Sequence, residues 1–383
     1  MLKTEPKTQA IARIASVDIF RGLVILVMIF VNDVSGVRGL PWWTYHMPEG
    51  VNGMTYVDMV FPFFLFILGM AIPLATERRL AKGDTPSKLS LHIVLRSLGL
   101  VVLGITLANA GRVSAELTGI PQHTWGLLAL AGVFLGWNVY PRTGRTALYR
   151  IMKYAGFALL AAMLLLFRRR TGQGEVAWLD FGYWEILGLL GCTYFAVALL
   201  YLAFRSKPRL FPALLAALVG LNVCSTLGWM HPLQAVPIDA SLCSVSMAGV
   251  VASLLFFDRA LPLPRKALIG SAYGAILLAA GWLTSPLGIS KNHGTPAWCL
   301  YSAGAAVLLF LALYWVADVK GWTRWAAFVH PAGANTLTTY LLPDVWYFVP
   351  FLGALKQPWS EGLPGVVRSL VFTGVILALA AVL

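Results

Sequence analysis

The sequence predicts an all-α bundle of about ten to twelve membrane-spanning helices, and three observations carry that prediction. Of 383 residues, 58% are apolar and only 12% charged, and the mean hydropathy is +0.75. Soluble domains run at about 45–50% apolar and about 25% charged. Apolar runs of helical length recur along the whole chain, and one crossing needs about 20 such residues. Positive residues also alternate in abundance from one connection to the next. At roughly 30 residues per crossing and turn, little length remains for a soluble domain. Residues 1–383 therefore read as one integral-membrane domain, with the polar residues 1–17 as a cytoplasmic segment. Lipid offers no partners to open backbone groups, so runs of this length are expected to be helices.

In order, the runs lie near 19–35, 56–75, 91–109, 123–141, 151–167, 183–204, 210–229, 241–257, 267–284, 297–317, 324–346 and 364–383. The fifth is short, and the eleventh carries Pro331, Gly333 and Asn335, which interrupt helices. No small-residue cleavage pattern follows the first run, so it is expected to stay as an anchor. With the N-terminus in the cytoplasm, inside connections hold 21 of the 29 Lys+Arg residues and outside connections hold seven. That is the positive-inside bias, and Arg168–Arg170 is its one clear exception. The bias also accounts for the net charge of +13 without a nucleic-acid partner, because no basic run is interleaved with aromatics. Cys192, Cys224, Cys243 and Cys299 are far apart, without metal-ligand spacing, so neither a disulfide framework nor a metal site is expected.

Polar residues near membrane depth carry the functional information. The first outer connection is rich in them: Asn32, Asp33, Trp42, Trp43, Tyr45, His46, Asn52 and Asp58. His46 can exchange a proton near neutral pH, or it is an ordinary loop histidine. His92, His123, His231, His293 and His330 compete with it, and spacing does not choose among them. Asn32, with Asp33 beside it, either donates to a developing oxyanion or simply ends a helix. Asp58 either orients a histidine or opens its own helix; Glu185 can play the same part. Trp42 and Trp43 read equally as an interfacial belt and as a folded-back lid. A second outer loop, 285–298, contains Lys291, Asn292 and His293 between prolines and can face the first. Together they offer hydroxyls, amides, an imidazole and aromatic plates, a mixture that suits a sugar.

The motifs Asp18-Ile-Phe-Arg21-Gly22, Ile29-Phe-Val-Asn32, His46 and Asn52-Gly-Met-Thr-Tyr-Val-Asp58, continuing to Pro62 and Gly69, resemble the heparan-α-glucosaminide N-acetyltransferase family. The resemblance continues at Lys291-Asn292, at Trp315-Val-Ala-Asp318-Val-Lys320-Gly321-Trp322, and from His330-Pro331 through Asn335 to Tyr340. Residues 110–180 match poorly, and Asp33-Val-Ser-Gly stands where the family often has a glycine run. The resemblance implies a membrane enzyme, in a bacterial inner membrane, that carries acetyl from cytosolic acetyl-CoA to the amine of a glucosamine-type sugar on the far side. It carries over His46 as general base or acetyl-accepting nucleophile and Asn32 as its assistant; from the residues themselves, Asp58 and Asp33 are expected in support.

Acetyl-CoA is then a co-substrate, and Arg21, Arg96, Lys320 and Arg324 are candidates for its phosphates; charge that merely sets topology is the other reading of each. Trp42, Trp43, Lys291 and Asn292 are candidates for the sugar. Enzymes of this type are often dimers, so a homodimer is also an expectation. An amino-sugar transporter, or an O-acyltransferase of a cell-envelope glycan, are the competing readings.

Overall fold

In the computed structural model, residues 14–141, 144–230, 238–354 and 359–383 are described. His231, the N-terminal cations Lys3, Lys7 and Arg13, and most of the 1–17 segment lie outside them. Twelve principal helices follow one another: α1 (Ala15–Val34), α2 (Val60–Ala81), α3 (Pro86–Ala110), α4 (Gln122–Trp137), α5 (Thr146–Leu166), α6 (Glu185–Phe204), α7 (Phe211–Thr226), α8 (Ala240–Phe256), α9 (Leu263–Thr284), α10 (Pro296–Tyr314), α11 (Thr336–Phe348) and α12 (Gly362–Val382). The chain is all-α and polytopic. Nine helices among the described residues are long and apolar enough to cross a membrane, and α8 is a shorter apolar helix. The short fifth run is a full helix of 21 residues. The eleventh breaks at Asn335 into His330–Ala334 and α11, where the sequence had placed its interruption.

Helix ends follow local chemistry. Thr85 accepts from Lys88 N ahead of Pro86, which opens α3. Asp239 accepts from Ser241 N to open α8. The Asp318 carboxylate accepts from Ala15 N and Ser16 N at 2.9 and 3.1 Å, capping α1 from across the bundle.

The core gathers around α1, α2, α8 and α10. Phe20, Phe66, Phe256 and Phe310 are fully buried there and form a run of edge and tilted ring contacts. The α2–α8 crossing is close. A Cβ at Gly69 would overlap the Ser246 carbonyl, and one at Gly249 the Phe66 carbonyl. Small residues allow backbones to meet in this way where lipid supplies no hydrophobic drive between helices.

Contacts between connections define two ends of the bundle. At one end, Gly53 N donates to Ile289 O, Arg38 N to Ser360 O, and Ser114 N to Arg168 O. At the other, Arg21 donates to Gly333 O and Lys266 to Phe256 O. The exceptional arginine cluster lies in a two-stranded hairpin, β1 (Arg169–Arg170) paired with β2 (Val176–Ala177). Its charges are taken up locally. Arg168 donates to the Leu165 and Phe167 carbonyls, Arg169 lies 3.6 Å from Asp180, and Arg170 pairs with Glu116.

Candidate functional site

The connection between α1 and α2 is built around a carboxylate. Asp58 is 1% exposed and sits in the 3-10 turn Val57–Met59 that leads into α2. One oxygen, Oδ2, accepts from Met47 N at 3.1 Å and Thr55 N at 3.0 Å, with Thr55 Oγ1 3.3 Å away. The other, Oδ1, lies 2.7 Å from His46 Nδ1. A carboxylate can only accept here, so Nδ1 carries the hydrogen and Nε2 is left as the basic nitrogen of the neutral ring. Tyr45 fixes the approach to His46: its hydroxyl donates to Val37 O at 2.6 Å and accepts from Leu40 N, while its carbonyl accepts from Thr55 Oγ1. Trp298 Nε1 donates to the Asp58 carbonyl, tying α10 to the same turn.

The second loop closes against the first, as the sequence suggested. Ile289 N donates to Asn52 Oδ1 at 2.7 Å, and Gly53 N donates to Ile289 O at 2.9 Å. Lys291 then reaches His46, with Nζ 3.4 Å from both ring nitrogens. Equal distances place the amine over the ring, out of line with either lone pair, and too far for a strong hydrogen bond. Burial pushes the Lys291 amine below the usual lysine range, with the Asp58 charge opposing that shift. The imidazole itself is open, with 43% of its side chain exposed. An aimed imidazole with a bare Nε2, beside an amine of lowered basicity, can accept a proton, attack an acyl carbon, or do both in turn.

Among the described residues, none of the other sequence candidates in these loops hydrogen-bonds to His46. Asn32 is exposed in the last turn of α1, and its side chain makes no hydrogen bond among the described residues. Asp33 does not join His46. Its carboxylate faces α12 and α11, accepting from Ser369 Oγ at 2.7 Å, Arg368 at 3.1 Å and the Tyr347 hydroxyl at 3.2 Å. Trp42 and Trp43 are 69% and 51% exposed on a 3-10 turn, with Trp43 near the Tyr56 ring. Asn292 is exposed beside Lys291.

Of the four cations proposed for phosphate, Arg21 donates to Gly333 O, while Lys320 and Arg324 flank the segment that leads to His330. All three lie at the end of the bundle opposite His46. Arg96 lies on α3, in the half that begins beside the α2 end opposite His46, with its guanidinium over the Tyr194 ring of α6. Sequence reasoning missed Thr55 and Trp298, whose roles pass through backbone groups. It also missed Asn222 and Asp239, which meet these loops only in the folded bundle.

The sequence profile of the family described as "Domain of unknown function (DUF5009)" matches residues 13–226. The mouse protein named heparan-alpha-glucosaminide N-acetyltransferase is 34% identical over 129 residues, which are 34% of this chain and 19% of that protein. The human protein of the same name is 35% identical over 121 residues, 32% of this chain and 18% of that protein. The matched segment therefore spans less than a fifth of the length of these curated relatives.

Proposed function

The chain belongs to the DUF5009 family, and from that premise we propose that it is a membrane N-acetyltransferase that acylates the amine of a glucosamine-type sugar. The observation that carries the proposal is the buried Asp58 carboxylate holding His46 by Nδ1 at an open face of the bundle. The names of the mouse and human relatives support the reaction class and the sugar.

The chemistry follows from what the groups can do. A glucosamine ammonium is not a nucleophile until it loses a proton. His46 Nε2 takes that proton, a service worth about 10²–10⁴ in rate. The free amine attacks the thioester carbonyl, the imidazolium gives its proton to the departing thiolate as the tetrahedral intermediate collapses, and the second proton of the attacking nitrogen passes to the freed Nε2 and on to solvent. Lys291 and the free amide of Asn32 are donors for the oxygen that becomes negative; one such donor is worth about 2.7–4 kcal/mol in comparable sites. In the covalent variant, Nε2 itself attacks the thioester first and hands the acetyl to the sugar afterwards. A burst of thiol release without acceptor distinguishes the two.

Acetyl-CoA reaches the protein from the basic end, which the charge bias places in the cytoplasm. Arg21, Lys320 and Arg324 suit its phosphates. His46 then faces the far side of a bacterial inner membrane. The test is transfer of labelled acetyl from acetyl-CoA to glucosamine by detergent-purified protein, beside His46→Ala. Label on the sugar that disappears in the variant supports the proposal. Transfer that survives the substitution removes His46 from it. Unmodified sugar accumulating inside proteoliposomes would indicate transport instead.

A further inference from the structure

Beside the His46 site is a cavity of about 550 Å³ that the reaction just described does not use. Asn52, Asn222, Ser225, Thr226, Asp239 and His293 supply its polar wall, and Val51, Leu287 and Ile289 its apolar one. Ligand pockets of about 300–1,000 Å³ combine apolar walls with a few placed polar groups. This volume exceeds what one hexosamine ring needs. The mixture matches a pyranose, which has apolar C–H faces and a rim of hydroxyls.

The cavity and His46 share a partition. Ser290 lines the cavity, and the next residue, Lys291, touches the His46 ring. Asn52 lines the cavity from the first loop while its side chain accepts from Ile289 N in the second. Consecutive Cα atoms are about 3.8 Å apart, so the same short loop forms one wall of the cavity and carries the amine on His46.

The charge of the lining selects the second sugar. Asp239 is the one acidic group among the described lining residues, and no Lys or Arg stands with it. Its oxygens accept from Ser241 N at 2.9 Å and Ser241 Oγ at 2.6 Å. A carboxylate has about four acceptor sites, so capacity remains for a ligand ammonium or hydroxyl. No Lys or Arg pairs with Asp239 among the described residues, and a second negative charge brought into the cavity would be repelled.

Resting on the acetyltransferase reading, we infer that this cavity is a second acceptor subsite that takes a neutral or amine-bearing sugar linked to the reacting glucosamine and rejects a uronate or sulfated one. The acceptor is an oligosaccharide end, and Asp239 sets its charge class.

The experiment is equilibrium binding to the full-length protein in detergent. The ligands are glucosamine, a β-linked glucosamine disaccharide, and a glucosamine–uronate disaccharide, each measured with wild type and with Asp239→Asn. Asparagine keeps the N-cap that α8 needs. The wild type is expected to bind the diamino disaccharide at least about tenfold more tightly than glucosamine and the uronate disaccharide more weakly than either. In Asp239→Asn both differences collapse toward unity, and Ser225→Phe, which fills the cavity from α7, removes the tenfold gain by a separate route. A disaccharide that binds no better than glucosamine, or a uronate disaccharide that binds best, overturns the subsite. Acetyl transfer is assayed in parallel. Disaccharide preference without transfer sinks the reaction reading and leaves the subsite; transfer to glucosamine without preference sinks the subsite alone.

Discussion

Two buried carboxylates stand at the same end of the bundle, and they do opposite things. Asp33, 3% exposed, closes α1 and meets Arg368, Ser369 and Tyr347. Asp58, 1% exposed, opens α2 and meets two backbone amides, a hydroxyl and the ring of His46. The first is neutralised by a partner that keeps its charge at any working pH. The second is bound to the one type of side chain whose ordinary pKa lies near neutrality. Burial alone therefore does not mark a functional acid. What marks it is a partner that can change its protonation state and remains open to solvent on its other side.

The largest effect expected from that contrast is on the reactive side. His46→Ala should lower kcat for acetyl transfer by about 10²–10⁴, with the melting temperature within a few degrees of wild type, as read by a thermal-shift assay on the same preparation. On the structural side, Asp33→Ala leaves Arg368 buried without its anion. Losing one member of a buried pair costs about 3–5 kcal/mol, so the protein should melt earlier while each folded molecule keeps its turnover. A variant that melts normally and loses turnover would reverse the assignment of the two carboxylates.

A smaller effect is expected at Lys291. Its amine is below the usual lysine range because of burial, with Asp58 opposing. The protonated amine is the donor, so activity is retained below its pKa and falls as pH rises through it. The alkaline limb of kcat/KM should lie below the ordinary lysine value of about 10.4. Lys291→Gln should cost about 10²–10³ in kcat and flatten that limb, whereas Lys291→Arg, which stays protonated, should move it out of range. A limb unchanged in both variants would assign it to another group. The smallest change is at the loop junction. Asn52→Ala removes one bond to Ile289 N and should lower stability by about 0.5–1.5 kcal/mol, visible as faster hydrogen exchange at 285–295.

The contrast also explains what was legible in the sequence. Among the described residues each of the twelve apolar runs is helical, the eleventh as two helices, because periodic apolar length is a local property. The interruption at Asn335 was equally readable, since Pro331 and Gly333 announce it. The family resemblance is upheld by the profile matched over residues 13–226 and by the two relatives. Asp33 and Asp58, however, looked equivalent. Each is an acid at a helix end, and only the arrival of α12 from more than 300 residues away shows that Asp33 belongs to Arg368. Lys291 was placed with the sugar on composition, yet the turn 288–295 lays it on His46. Long-range pairing carried each of these assignments, and no local pattern encodes it.

The most direct measurement compares the two acids in one assay. Turnover of labelled acetyl-CoA per folded molecule is measured for Asp58→Asn and Asp33→Asn, with folded fraction taken from monodisperse elution and melting. Asp58→Asn should lose at least about 10²-fold in kcat, because the amide no longer fixes the Nδ1–H tautomer of His46, while remaining folded. Asp33→Asn should melt earlier and keep kcat within about threefold of wild type. Equal turnover losses in both, or full activity in Asp58→Asn, would contradict the assignment of Asp58 and His46 as the reacting pair.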